Sequence, residues 1–76
     1  MTLEKLIEHI RQGGEIEFEL GEAEYFHSHD GEKYHIYDKN QLVIFEGTLE
    51  EELAFEFCEN ISFEKDINCF CFNYIL

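Results

Sequence analysis

The sequence predicts an α+β fold: a helix, a four-stranded antiparallel meander, a second helix and a final strand, in one mixed sheet with both helices on one face. Three observations predict it. Glu15 to Leu20 alternates carboxylate and apolar residues without a break, the period-two mark of a half-buried strand. Two turn signals, Gly21-Glu22 and Asp30-Gly31, then punctuate the chain at strand-length intervals. Finally, Thr2 and Thr48 each open a segment with apolar residues at helical spacing.

Taken in order, Thr2 caps the first helix and Glu4 in its first turn suits the macrodipole. Leu3, Leu6, Ile7 and Ile10 form its apolar stripe, and Gly13-Gly14 ends it. Strand one is Glu15 to Leu20, with Ile16, Phe18 and Leu20 on one face and Glu15, Glu17 and Glu19 on the other. A two-residue turn at Gly21-Glu22 pairs Leu20 with Ala23, Phe18 with Tyr25 and Ile16 with His27. It also sets Glu19 across from Glu24, and Glu17 across from Phe26.

Strand two runs from Glu22 to His29. A two-residue turn at Asp30-Gly31 would pair His27 with Tyr34 and Phe26 with His35, giving a third strand from Lys33 to Tyr37. In that register His35 lies on the opposite face from His27 and His29; a three-residue loop would reverse this. A fourth strand spans Gln41 to Phe45, and its continuous apolar run predicts burial on both faces. Thr48 with Glu51 makes a capping box for the second helix. Leu49, Leu53, Ala54 and Phe57, with Cys58 as a further candidate, form its apolar stripe, Glu50, Glu51, Glu52, Glu56 and Glu59 its polar side, and Asn60 its end. Ile61-Ser62-Phe63 reads as a connector, and Asn68 to Ile75 as the last strand.

The chain has 76 residues, enough for a single domain. Such a domain buries only about 60% of the surface its unfolded chain exposes. Eight Phe and four Tyr, with no Trp, supply much core area per residue and argue against disorder. Five basic residues against eighteen acidic ones give a formal charge of −13. That balance argues against direct contact with nucleic acid or an anionic membrane surface, since phosphates need Lys and Arg. It suits a basic protein partner, and it also keeps an aromatic-rich chain soluble. No secretory signal or membrane span is evident, so a cytoplasmic location with three reduced cysteines is the expectation.

Four residues could form a metal site. His27-x-His29 and Cys69-x-Cys71 each place two ligands on one strand face, and a two-His, two-Cys zinc site would form if those strands were neighbours. The alternative is that both cysteines are small buried apolar groups. Catalytic readings are weaker. Ser28-His29-Asp30 has triad residue types, but adjacent strand residues diverge. Cys58 sits toward a helix C-terminus among glutamates, which disfavours its thiolate. There is no phosphate-binding glycine loop. The expectation is a non-enzymatic protein without a cofactor.

The outer sheet face is the better candidate. Glu15, Glu17, Glu19, Glu24, Phe26, His35 and Tyr37 should stand there together, with Lys33 the only base. Carboxylates would steer an Arg- or Lys-rich partner and aromatics would anchor it; a solvated face is the plainer alternative. Self-association through the aromatic last strand is a third expectation, because an apolar strand at a sheet edge invites pairing.

The leading helix, Gly13-Gly14, the alternating Glu15-to-Leu20 strand, the hairpin and the Thr48-capped helix together resemble small uncharacterised acidic proteins of low-GC bacteria and their phages. In size, acidity and helix-then-sheet layout the chain is also similar to some anti-CRISPR inhibitors, which mimic DNA charge inside a nuclease channel. These resemblances imply a phage or mobile-element protein and, in the narrower form, a DNA mimic. They bring no motif residue and no activity with them.

Overall fold

The computed structural model describes the backbone of residues 1–75 and the side chains of residues 1–73. Helix α1 spans Leu3–Arg11, with Thr2 Oγ1 accepting from the Lys5 N–H at 3.2 Å. Leu6 and Ile10 are its buried residues, one turn apart on the stripe read from the sequence. Gly13 then takes a φ of +81°, a conformation that costs glycine little. Gly14 serves a different purpose: a Cβ there would overlap the His9 ring, so the glycine makes room for that side chain.

Strand β1 is Ile16–Leu20 and β2 is Ala23–His29. Their register is the one the turn dictates, from Leu20 opposite Ala23 to Ile16 opposite His27. Strand β3 is Tyr34–Asp38, and here the turn differs. His29, not His27, stands opposite Tyr34, because Asp30 to Lys33 form a four-residue loop. The cause is the Asp30 carboxylate, which accepts from the backbone N–H groups of Glu32 and Lys33, each at 2.9 Å. Four residues in place of two shift the register but keep its parity, so His27 stays on the inner face and His35 on the outer.

Strand β4 is Val43–Gly47 rather than Gln41–Phe45. The start moves because Asp38 organises a longer turn: its carboxylate accepts from the Asn40 N–H at 2.8 Å and the Leu42 N–H at 3.0 Å, with Gln41 at a φ of +65°. The expected burial on both faces is also corrected. β4 lies at a sheet edge, where Leu42 and Val43 are 62% and 51% exposed. A bulge lets Ile36 face Phe45 while Tyr37 faces Val43, placing Ile44 as the extra residue.

Helix α2, Leu49–Ala54, has the full Thr48–Glu51 capping box but stops six residues short of Asn60. Phe55 is extended, at φ −62° and ψ 130°, since Phe55 and Phe57 both pack into the core. Residues two apart share a side on an extended chain and diverge on a helix. Asn60, at a φ of +64°, belongs instead to the Cys58-to-Ile61 turn. Ser62 caps a third helix, α3, at Phe63–Asp66, accepting from the Lys65 N–H at 3.4 Å. A 3-10 turn over Ile67–Cys69 precedes β5, Phe70–Ile75.

The sheet order is β4-β3-β2-β1-β5, and every pairing is antiparallel, so the sheet is not mixed. The segment holding α2 and α3 carries the chain from one edge to the other, and β5 enters beside β1 antiparallel to it. One buried cluster joins Leu6 and Ile10 of α1, Ile16 and Phe18 of β1, Ile36 of β3, Leu49 of α2, Phe63 of α3 and Phe70 of β5. All three helices therefore cover the same sheet face. Phe18 is its centre: the rings of Tyr25, Phe57, Phe63, Phe70 and Phe72 stand 5.2–6.0 Å away. Such ring pairs add about 0.5–1.5 kcal/mol each beyond area burial.

A candidate partner-binding face

The face away from the helices is built in three rows, because directly opposed residues in antiparallel strands share a side. The first row runs Glu46, His35, Ser28 and then Glu15 at the lead-in to β1. The second runs Val43, Tyr37, Phe26 and Glu17. The third pairs Glu24 with Glu19 and Glu19 with Cys71. All seven residues read from the sequence as a contact surface thus lie on one side of the sheet.

Their surroundings differ. In the first row, Ser28 Oγ donates to Glu15 Oε2 at 3.1 Å, and His35 Nε2 stands 2.9 Å from Glu46 Oε1. Lys33 Nζ reaches Glu46 Oε2 at 3.5 Å from the loop beside the strand. His35 is only 7% exposed, so its place on the outer face does not make it available to a partner. It is covered by Tyr37, stacked at 6.0 Å, and tied to Glu46. The His35 hydrogen bond, then Lys33, holds the Glu46 carboxyl below its ordinary range. The Lys33 and Glu32 N–H groups do the same for Asp30.

The second and third rows are open. Phe26 and Tyr37 lie 6.5 Å apart between centroids. Around them is a depression of about 660 Å³ lined by Glu17, Glu19, Glu24, Phe26 and Tyr37 among others, and also by Lys39 from the β3–β4 turn, so Lys33 is not the only base at this face. The Glu19 carboxylate accepts from the Asn73 amide, whose Oδ1 accepts from Cys71 Sγ at 3.3 Å. Among the described residues no Lys or Arg pairs with Glu17, Glu19 or Glu24. Two like charges directly opposed, Glu19 and Glu24, are mildly destabilising on their own.

The four metal-ligand candidates are not brought together. β1 separates β2 from β5, and Cys69 is in the 3-10 turn rather than the strand. All three cysteines are exposed, against the alternative that Cys69 and Cys71 are buried apolar groups. His29 Nε2 lies 3.0 Å from the Gly13 carbonyl. No group of three or more His, Cys, Asp or Glu with metal-site geometry occurs among the described residues. The aromatic last strand does lie at an edge, with Phe70 buried and Phe72 packed on the core; the Tyr74 side chain is outside the described residues.

A polar pair the sequence reading missed lies on the inner face. His27 Nδ1 is 2.5 Å from Glu52 Oε2, and the two side chains are 1% and 0% exposed. Among the described residues His27 Nε2 and Glu52 Oε1 have no hydrogen-bond partner. The sequence pattern puts Glu52 on the polar side of its helix; in the fold it shares the inward face with Leu49 and Leu53. Tyr34 stacks on the His27 ring at 5.6 Å. A signal was present: an inward His27 opposite Ile16 needs an inward partner.

Among the described residues no helix is long and apolar enough to cross a membrane. Compared with protein-family models, curated proteins and solved structures, the chain has no match in any of the three.

Proposed function

We propose that this protein is a non-enzymatic binding module that docks a basic protein partner on the outer face of its sheet. The observation that carries the reading is the juxtaposition of Glu17, Glu19 and Glu24, none paired with Lys or Arg among the described residues, with Phe26 and Tyr37 in one open depression. Three carboxylates with a single lysine, Lys39, in the same lining, on a chain of net charge −13, attract a cationic surface. Aromatic rings among them offer apolar anchors once water is displaced. His35 and Glu15 support the floor of the site through their bonds to Glu46 and Ser28. In the narrower version the partner is a nucleic-acid enzyme. The carboxylates then stand where backbone phosphates would, in a basic channel, as the resemblance to phage-borne inhibitors suggests.

The test is capture of partners from host lysate with wild type and with Glu17→Lys/Glu19→Lys. Both glutamates lie on the outer face, so the fold should survive, checked by circular dichroism. A genuine partner is held by wild type, released as salt rises past about 0.1 M, where the Debye length is roughly 10 Å, and lost by about tenfold or more in the variant. A verified partner that binds both proteins equally would move the site elsewhere. A nucleic-acid enzyme in the eluate supports mimicry; a basic partner of another kind removes it.

A further inference from the structure

The second row on the outer face stops at β4. Running Val43, Tyr37, Phe26, Glu17, it is apolar toward β4 and acidic toward β1. β4 has β3 on one side and no strand on the other. An edge strand presents backbone N–H and C=O groups with no ladder partner. Natural edges are commonly blunted by lysine, proline, inward charges, short strands or bulges, and of these β4 has its five-residue length and the bulge at Ile44. β4, with the sequence Val-Ile-Phe-Glu-Gly, contains no lysine and no proline. Its single charge, Glu46, is a carboxylate on the outer face, 49% exposed. Leu42 and Val43 are two of three large apolar side chains exposed among the described residues, and they sit together where this edge begins.

We infer that β4 is a pairing edge: it accepts an extended, basic segment of the partner protein as a sixth strand. This rests on the basic-partner reading above and adds its mode of contact. Backbone bonds to the edge supply register and affinity, and side chains at alternate positions supply selectivity. An apolar residue of the incoming strand would lie beside Val43 and extend the Val43–Tyr37–Phe26 row. A Lys or Arg farther along would lie beside Glu46 and compete for it with Lys33, which stands 3.5 Å away. The bulge at Ile44 is part of the design, because it sends Val43 outward while Ile44 and Phe45 pack on the core. Charge decides against a second copy as the occupant, since each copy carries −13.

The probe is a blocked peptide of alternating lysine and valine, with a second version N-methylated at alternate residues. Methylation keeps the charge and removes the strand-pairing donors. The readout is amide chemical shift and hydrogen exchange on the full chain. With the plain peptide, the Val43–Gly47 amides should shift and gain protection, and the methylated peptide should bind about tenfold or more weakly. Val43→Lys, at an exposed position, should weaken the plain peptide comparably while the free protein keeps its spectrum. Equal binding by both peptides, with shifts confined to Glu17, Glu19 and Glu24, overturns the edge and leaves the acidic face standing. Binding by neither overturns both. Concentration-dependent protection of β4 without peptide makes the occupant a second copy and also overturns the proposal.

Discussion

Each face of the sheet buries one histidine against one glutamate, and the two pairs have little else in common. His27 meets Glu52 inside the core, with both side chains at most 1% exposed. His35 meets Glu46 on the outer face, where the acid is half exposed. In the core no water is at hand to replace a lost partner, so removing one group strands the other. Outside, the acid is in contact with solvent and Asp30 Oδ2 also lies 3.8 Å from the His35 ring, so loss of Glu46 leaves the histidine less isolated and the pair contributes less to stability. The same residue types therefore hold the fold together on one face and shape an accessible surface on the other.

The largest effect should come from the ring cluster that makes the inner face dry. Phe18→Ala is expected to cost about 3–5 kcal/mol. For a chain of this length, total stability is on the order of 4–11 kcal/mol, so the variant should lose from about a quarter of it to all of it. Phe26→Ala, one strand over and on the outer face, should cost well under half as much. Urea denaturation followed by circular dichroism measures both, and similar losses would break the contrast between the faces.

Next is the buried pair. Glu52→Ala should lose about 1–3 kcal/mol, because it leaves the buried His27 ring without its one hydrogen-bond partner among the described residues. A double replacement, His27→Leu with Glu52→Leu, should recover most of that loss, since replacing both partners of a buried polar pair by well-packed apolar groups is often nearly neutral. The matching Glu46→Ala should fall within the error of the same denaturation experiment. A double variant no more stable than Glu52→Ala alone would mean that the pair does more than satisfy itself.

The smallest effect is in acid. A carboxyl held below its ordinary value stabilises the fold above that value and ceases to do so as pH falls through the depressed one. For Glu46 the ordinary value is 4.5, and the first cause of its lowering is the His35 bond, followed by Lys33. Carbon-13 titration of the Glu46 carboxyl should give a midpoint below 4.5 that rises partway back in Lys33→Ala. A midpoint at or above the ordinary value would show that the outer pair does not form in solution.

What could be read from the sequence follows from which interactions are local. The register of the hairpin joining β1 to β2 is legible, because Gly21 supplies the left-handed turn and strict alternation leaves one pairing, although both strands start one residue later than Glu15 and Glu22. The outer face is legible for the same reason. The extent of α2 is not, because Phe55 and Phe57 abandon helical geometry for ring contacts with distant segments. The edge position of β4 is hidden too: an apolar run looks alike whether it is covered twice or once. Glu52 escaped notice because Glu50-Glu51-Glu52 reads as capping chemistry, and only the needs of His27 distinguish its third member.

The loop from Asp30 to Lys33 behaves like a reading frame. Its four residues leave every downstream side chain of β3 on the side that a two-residue turn would have chosen. Lengthening or shortening it by two would slide β3 along β2 yet keep Ile36 inside and Tyr37 outside. A change of one would exchange the faces, sending Tyr37 and His35 into the core and Ile36 to solvent. Drift in the length of this loop should therefore be confined to even steps.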